Sequence, residues 1–585
     1  MAESQSAKGS KHIAEFDRQF FTGKEKFTYI GLGELGGKAH GLARMCDIIG
    51  GSIENKYAPD ITVSIPTLTV ITTDYFDRFM KQNNLYEIAM SDIRDDRLAH
   101  AFQKAELPAQ LVGDLRAMVS QVHQPLAIRS SSMLEDAMFE PFASVYATKM
   151  IPNNQFDADT RFRKLVEAVK FIYASTFFKD AKNYIKMTKH TTADEKMAVI
   201  IQEVVGSRYA DRFYPHICGV ARSYNFYPSG NAKSEDGVID LALGLGKSIV
   251  DDSIAWSYAP SYPKSDPPYN SIGELLKFSQ TEFWGVNMGK PSEYNPIKET
   301  EYMARYHIQD AEQDGTLKYI ASTYNYQDDR IVTGTGIKGP RLLNFAPILR
   351  AGQLPLNDLL TDLLKTCEDI VGTEIEIEFA ITLDDRQCSP ARFGFLQVRP
   401  MVVSHEDVEI TPQEMNSSDL VVASEKVLGN GVIDTIEDIV FVKKEKFSGS
   451  HTITIANQLE KVNTELVDNQ KRYLLIGFGR WGTSDPQGGI PVNFGQISGA
   501  KVIVESTLPE MDFMMSQGSH FFHNITSFRV CYFSIDHWRE YGINWDWLNA
   551  QQVVSETEFI KHVKLPQPLL IKVDGRNGRG VVLHQ

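Results

Sequence analysis

Cysteine is scarce in this chain of 585 residues, which has only Cys46, Cys218, Cys367, Cys388 and Cys531. No two of them form a CxxC pair, so a zinc ribbon is excluded, and an odd number spread this widely fits reduced thiols rather than a disulfide scaffold. Long apolar runs are missing too. No stretch approaches the ~18 consecutive apolar residues of a membrane-spanning helix, and the N-terminal MAESQSAKGSKH lacks the apolar centre of a signal peptide. Basic charge is in deficit, with 60 Lys and Arg against 75 Asp and Glu and a net charge of −15. That balance disfavours a general phosphate-tracking nucleic-acid binder, although a small basic pocket for a nucleotide remains compatible with it. With 41 glycines and 25 prolines, the chain has too few of either for low-complexity sequence. The expectation is a soluble, cytoplasmic, multidomain protein with no membrane partner; a homo-oligomer is left open.

What is present is globular: 42% of residues are apolar and 23% charged. At about 100–200 residues per domain, the length predicts three to five structural units. TLTVIT (Thr67 to Thr72), PLAIRS (Pro125 to Ser130) and MAVIIQEVV (Met197 to Val205) read as buried strands. Asp74 to Met118 has helical spacing, and residues 160–190 read as one long helix, because Phe162, Leu165, Val166, Val169 and Ile172 recur at three and four. EIEIEFAI (Glu374 to Ile381) and GFLQVRP (Gly394 to Pro400) read as a hairpin. The acidic, polar SHEDVEITPQEMNSSD (Ser404 to Asp419) is the best linker candidate, and a second set of short strands follows it: DIVFVKK, YLLIGFG, AKVIVE, VCYFSI and PLLIKV.

Three segments of the larger part carry chemistry. GLGELGGKAHGL (Gly31 to Leu42) places four glycines ahead of a helix-like stretch; its amides could approach a phosphate, with Lys38 as a point charge. It is not a Walker A motif, because Ala39 stands where Ser or Thr is needed. In AIRSSSMLED (Ala127 to Asp136), Arg129 ends a strand beside three serines, a fork suited to phosphate oxygens. The plainer reading is a helix cap, with Arg129 paired to Glu135 or Asp136. On EIEIEFAI, Glu374, Glu376 and Glu378 share one face, and three carboxylates repel one another unless a cation such as Mg²⁺ sits among them. Gln397 and Arg399 share a face on the following strand; a solvated edge strand is the plainer alternative here.

These segments, taken together and in order, resemble the ATP-grasp module of the phosphoenolpyruvate synthase and pyruvate phosphate dikinase family. That family's pattern runs GGKGxNL, VRSSAxxED…FAGxYxT, MAVxVQxMV, SGVAFT, GLGE and DIEWA…LQxRP. This chain has GGKAHGL, IRSSSMLED, PFASVYAT, MAVIIQEVV, CGVARS, GLGK and EIEFA…LQVRP, collinear from Gly36 to Pro400. The resemblance implies an α/β (α+β) fold, a two-lobed nucleotide-binding module followed by a smaller C-terminal α/β domain. Its expected boundaries are 1–205 and 206–405 for the lobes, 406–418 for a linker and 419–585 for the C-terminal domain. It further implies Lys38 and Arg129 as phosphate-binding cations, Gln202 on the strand against adenine, and Thr148 in the loop over the phosphates. Glu376 and Glu378 would be the Mg²⁺ and ribose-side acids, and Gln397 and Arg399 would complete the γ-phosphate side. The inventory is thus Lys38, Arg129, Ser144, Thr148, Gln202, Glu378, Gln397 and Arg399 for nucleotide and Glu376, Glu378 and Gln397 for metal, with Mg²⁺ as cofactor and ATP as substrate. Three departures bear on catalytic rate: Ser144 replaces the loop Gly, Glu376 replaces Asp, and CGVARSYNFYP lacks the family's FTxDP ending.

The C-terminal part offers Arg480 and Trp481 after GFG, either as a polar or stacking anchor or as a packed turn, and His520 and His523 in SQGSHFFHNITSF. In the same family a swivelling domain carries a phosphorylated His within GGxxSHxAIxAxxxGxPxxV and closes near VxVDGxxGxV. QGSHFFHNITSFRVCYFSI and IKVDGRNGRGVV are similar to these, which implies His520 as phosphoryl carrier. The family's pyruvate-binding barrel has no counterpart before Gln585. The expectation is therefore an ATP-dependent phosphotransferase of the pyruvate/water dikinase type, acting through Lys38, Arg129, Arg399 and His520, whose phosphoryl acceptor is unknown and is sought in another protein as well. Two alternatives stand beside it. One is a nucleotide-binding regulatory or scaffolding protein with reduced catalysis, and the other a direct small-molecule phosphotransferase without phosphohistidine.

Overall fold

The computed structural model describes residues 13–18, 26–135, 145–185, 191, 195–226, 228, 230–250, 255–265, 272–277, 279–290, 293–383, 390–401, 403, 408–483, 488–509, 511, 530–537 and 541–585. These fall into two compact units. The first draws on Met1–Tyr224, Ser229–Ile249 and Ile254–Pro400, and the second on Met401–Gln585 with Asn225–Pro228 and Val250–Ser253.

In the first unit the apolar runs form strands and the strands form two large sheets. Ala14–Glu15 (β1), Phe27–Ile30 (β2), Ile61–Ser64 (β3), Leu68–Ile71 (β4), Leu126–Ser132 (β5), Thr148–Ile151 (β6) and Met197–Glu203 (β7) come first in the chain. Six of them make a sheet of order β1-β2-β4-β7-β5-β6, while β3 leaves to join the second sheet. The near-continuous burial of β7 and β5 follows from their central position, with both faces covered. Later strands are Ser207–Tyr209 (β8), Arg212–Tyr214 (β9), Ile217–Arg222 (β10), Val238–Ala242 (β11), Trp256–Tyr258 (β12), Glu282–Asn287 (β13), Met303–His307 (β14), Ala321–Asn325 (β15), Arg330–Thr333 (β16), Arg341–Leu343 (β17), Ile375–Thr382 (β18) and Ala391–Pro400 (β19). The second large sheet has the order β12-β11-β10-β18-β19-β3. The expected hairpin is there as β18 and β19, but β18 is hydrogen-bonded on both sides, so the solvated edge-strand alternative does not hold. Gly219 of β10 admits the ring of Phe379 from β18; a Cβ at Gly219 would lie 2.1 Å from Phe379 Cζ.

Helices cover these sheets through regular apolar stripes. Leu356–Val371 buries Leu356, Leu359, Leu360, Leu363, Leu364 and Cys367, a three-and-four spacing that makes one face. The span read as one helix over 160–190 is two among the described residues, Ala158–Ser175 and Lys179–Ile185. Local hydrogen bonds from Phe177 to Ala174 and from Phe178 to Ser175 tighten the chain there. The new start is then capped from outside, because Lys179 N donates to Asp95 Oδ1 at 2.9 Å. Phe177 turns inward against Phe76 and Phe102, a tertiary contact that periodicity does not report.

The connection between β13 and β14 grips the edge strand β6. Lys149 Nζ meets Glu301 Oε2 at 2.7 Å with both side chains buried, and it also donates to the Pro296 carbonyl at 2.7 Å. The Phe171 and Tyr302 rings lie 5.3 and 5.9 Å from the ammonium. Beside this pair, Thr148 N donates to Glu299 Oε1 at 3.1 Å.

The second unit is built on Leu420–Ser424 (β20), Val427–Leu428 (β21), Gly431–Val442 (β22), Tyr473–Phe478 (β23), Arg480–Trp481 (β24), Gly489–Ile490 (β25), Ala500–Ser506 (β26), Cys531–Ile535 (β27), Gln552–Glu556 (β28), Ile560–Asp574 (β29) and Arg579–Leu583 (β30). Its main sheet has the order β20-β30-β29-β22-β23-β26-β27-β21, with β28 beside β29. The run β22-β23-β26-β27 is parallel, as expected where a helix, Thr452–Asp468, crosses from β22 to β23. In the segment read as a linker, Ile410 and Met415 are buried with Ala423 and Val581, and Glu414 pairs with Lys572 at 2.6 Å. Trp481 is a core residue whose Nε1 donates to the Val504 carbonyl, which rules out the stacking-surface reading. No disulfide joins Cys46, Cys218, Cys367 and Cys531 to one another; Cys388 lies outside the described residues. Among the described residues no helix is long and apolar enough to cross a membrane.

Two outcomes are expected of the first unit. Lys149→Met leaves Glu301 buried without its cation and should cost roughly 3 kcal/mol in urea unfolding, and Lys149→Met/Glu301→Gln should recover much of that loss. The second concerns Glu195, just before β7, whose carboxyl is pushed up from 4.5 to about 7 by burial first and then by the Glu135 carboxylate. Between those values only the folded state holds the proton, so stability fully present below pH 4.5 is lost as pH rises through about 7. The loss should be roughly 3 kcal/mol and absent in Glu195→Gln, read as urea midpoints at pH 5 and pH 8.

Candidate functional site

The two large sheets are joined at Arg129 in the middle of β5, which runs on through the three serines instead of ending at Arg129 as expected. In the first sheet Arg129 lies opposite Ile200 of β7, with Gln202 two residues along the same strand opposite Ala127. In the second sheet the β18–β19 register sets Glu376 opposite Arg399 and Glu378 opposite Gln397. The period of two then gathers four polar side chains on one face. The Arg129 guanidinium reaches both groups. Its Nη1 donates to the Leu396 carbonyl at 3.0 Å and to Gln202 Oε1 at 3.4 Å. Its Nη2 donates to Gln397 Oε1 at 2.7 Å and to Glu378 Oε2 at 3.3 Å. Arg129 therefore pairs with Glu378 and not with Glu135. Gln202 is buried, and its Nε2 has no acceptor among the described residues, which leaves a donor for a ligand.

Glu376 belongs to a tighter group. One of its oxygens receives a hydrogen bond from Arg399 Nη2, and the other from Arg222 Nε at 2.6 Å. Arg222 ends β10 and also donates through Nη1 to Asp240 Oδ2 at 2.7 Å, while Asp240 accepts from the Ser257 hydroxyl. Burial works against the charge of Arg222, but the carboxylates of Glu376 and Asp240 outweigh it and hold the guanidinium charged. Arg399 also lies 3.9 Å from Glu378 Oε1, which closes the chain back to Arg129.

Lys38 stands on the helix Gly37–Ile48 that follows the glycine turn, and its partners lie on and just after β5. Its Nζ reaches Glu135 Oε1 at 2.6 Å and Ser130 Oγ at 3.1 Å. Glu135 is tied down further by Ser130 Oγ at 2.9 Å and by Ser132 N at 2.9 Å. Ser130, Ser131 and Ser132 lie within β5, and Ser132 closes the strand with a reciprocal turn in which its Oγ accepts from Glu135 N at 3.1 Å; Ser131 Oγ donates to the Leu35 carbonyl and accepts from Ala39 N. Gly36 makes this approach feasible at φ 77°, where a Cβ would sit 1.8 Å from the Ser131 carbonyl oxygen. The amides of the turn are not all free for a phosphate. Leu32 and Gly33 donate to Asp74 Oδ1 at 3.1 and 3.0 Å, and Glu34 donates to Thr73 Oγ1 at 3.0 Å.

Of the expected site residues, Arg129, Gln202, Glu376, Glu378, Gln397 and Arg399 come together, Lys38 forms its own knot from β5, and Thr148 lies on the edge strand β6. Ser144, His520 and His523 lie outside the described residues. Sequence reasoning missed Arg222, Asp240 and the Lys38–Glu135 pair. The one signal for Arg222 was that CGVARS places an arginine where the resembled pattern SGVAFT has Phe. Among the described residues no group of three or more His, Cys, Asp or Glu is arranged to hold a metal alone. Glu378 and Gln397 nevertheless offer side-chain oxygens of the kind Mg²⁺ takes when it is shared with phosphates. They fit such an ion, whereas Glu376, with an arginine on each oxygen, does not.

No curated protein sequence matches this chain. The family model described as pyruvate phosphate dikinase, AMP/ATP-binding domain, matches residues 32–419, a span that holds Lys38, Arg129, Gln202, Glu376, Glu378, Gln397 and Arg399. With that match covering more than half of its length, the chain belongs to the family of the pyruvate phosphate dikinase AMP/ATP-binding domain.

Proposed function

We propose that the first unit binds Mg-ATP at the Arg129 cluster and acts as an ATP-dependent phosphotransferase of the pyruvate/water dikinase type. Family membership implies ATP binding and an ATP-using, dikinase-like enzyme. The observation that carries the finer reading is the guanidinium of Arg129, which joins Gln202, Gln397 and Glu378 within 3.4 Å. Phosphoryl transfer asks a protein mainly for positioning and charge neutralisation. Arg129 and Arg399 supply fixed positive charge, and the orphan amide of Gln202 supplies a donor for the nucleotide. Glu378 and Gln397 would hold Mg²⁺, which would supply positive charge against the phosphates. Lys38 serves as a second phosphate cation once it exchanges Glu135 for the nucleotide. Thr148, which begins the edge strand β6 instead of lying in a loop, is the proposed hydroxyl contact to the phosphates, and Ser144 keeps its expected role beside it. His520, in the connection between β26 and β27, is the proposed phosphoryl carrier that passes the group to an acceptor.

A nucleotide-binding regulatory role is the second reading, and the clamp on Glu376 favours it, because one expected acid is already committed to two arginines. Binding with no ATP consumption would select this reading over the first.

Arg129→Met and Lys38→Met should each weaken ATP binding by about tenfold or more in calorimetry, since a charge-assisted hydrogen bond contributes roughly 1.5–3 kcal/mol. Unchanged affinity in a folded Arg129→Met protein would remove the cluster from the nucleotide site. For the carrier, incubation with β- and γ-labelled ATP should label the wild type and leave His520→Ala unlabelled. Equal label in both would put the phosphoryl group on another residue, and no label in either, with ATP still consumed, would point to direct transfer without a phosphohistidine.

A further inference from the structure

Arg222 has contacts that sheet pairing alone does not call for. It lies opposite Glu376 in the β10–β18 register and holds that carboxylate through Nε at 2.6 Å. Through Nη1 it holds Asp240 of β11 at 2.7 Å, and Asp240 is fixed in turn by Ser257 of β12. The second oxygen of Glu376 is taken by Arg399. A divalent ion approaching Glu376 would therefore meet a guanidinium at each carboxylate oxygen, and like charges at that distance repel strongly in a buried setting. Glu378, one pleat along, differs in both respects. Among the described residues its arginine contacts are longer, at 3.3 and 3.9 Å, and its side chain is 22% exposed against 2% for Glu376.

We propose that Arg222, backed by Asp240, is a positioning residue that keeps Glu376 out of the metal shell and locks it to Arg399. Glu378 and Gln397 are then the protein oxygens on the nucleotide's metal. This rests on the Mg-ATP reading above and adds a division of labour within it. Glu376 orients a cation instead of binding one, and three strands that do not touch Arg129 set the position of Arg399.

The test uses the full chain with a non-hydrolysable ATP analogue, whose binding is first measured calorimetrically without metal. Mn²⁺ is then titrated in, and the free ion is read by electron paramagnetic resonance. Glu378→Gln should weaken Mn²⁺ binding by about tenfold or more, and Glu376→Gln by less than about threefold. In the charge-balanced Arg222→Met/Asp240→Asn background Glu376 is released, and adding Glu376→Gln there should cost about tenfold. Arg222→Lys, which can hold one carboxylate but not both, should fall between. Equal losses for Glu376→Gln and Glu378→Gln in the unaltered background overturn the proposal. So does a released background in which Glu376→Gln still costs nothing. If the released background fails to fold, the comparison of Glu376→Gln with Glu378→Gln decides alone. A wild type that binds neither analogue nor Mn²⁺ refutes the Mg-ATP reading and this proposal with it. Analogue binding with the wrong pattern of Mn²⁺ losses refutes this proposal only.

Discussion

One guanidinium joins the two large sheets of the first unit, and much else follows from it. Arg129 leaves β5 of one sheet and finds acceptors on β7 of its own sheet and on β18 and β19 of the other. A planar fork with five donors can do this from a single strand position, whereas an ammonium cannot. Its attachment fixes the positions of Gln397 and Glu378, which in turn set the distance to Arg399. From Arg399 the chain continues through Glu376 and Arg222 to Asp240 and Ser257.

The charges along this chain balance. Three guanidinium groups face three carboxylates, which explains how so many ionic side chains are tolerated with so little exposure. A buried network of this kind specifies one arrangement, because displacing any member leaves its neighbour unsatisfied. It also distinguishes two kinds of carboxylate on one strand. Glu376 is held from both sides, and Glu378 keeps looser contacts toward the side where Arg129 arrives. Lys38 follows the same rule in its own knot, where Glu135 matches its charge and the hydroxyl of Ser130 joins both.

Much of this was legible in the sequence, and the reason is periodicity. Alternation along EIEIEFAI and LQVRP placed Glu376, Glu378, Gln397 and Arg399 on a common face, and the hairpin register confirms that placement. The apolar run of MAVIIQEVV announced a central strand because both of its faces are covered. What stayed hidden was long-range pairing. Nothing near Lys38 marks Glu135 as its partner, and nothing near Arg222 marks Asp240, since each contact depends on how separate strands are ordered. The break between Ser175 and Lys179 was hidden for the same reason, because its cap comes from Asp95 on another helix. The glycine turn misled in a different way. Its composition announced free amides, but Asp74 and Thr73 occupy three of them.

The buried pair of Lys149 and Glu301 has a thermal consequence. Taking an ammonium and a carboxylate out of water is costly because both are strongly hydrated, and that hydration becomes less favourable as temperature rises. The penalty for burying the pair therefore shrinks on heating, while the stabilisation from apolar contacts levels off. The grip of the β13–β14 connection on β6, the strand that bears Thr148, thus gains weight relative to the surrounding core as the protein warms.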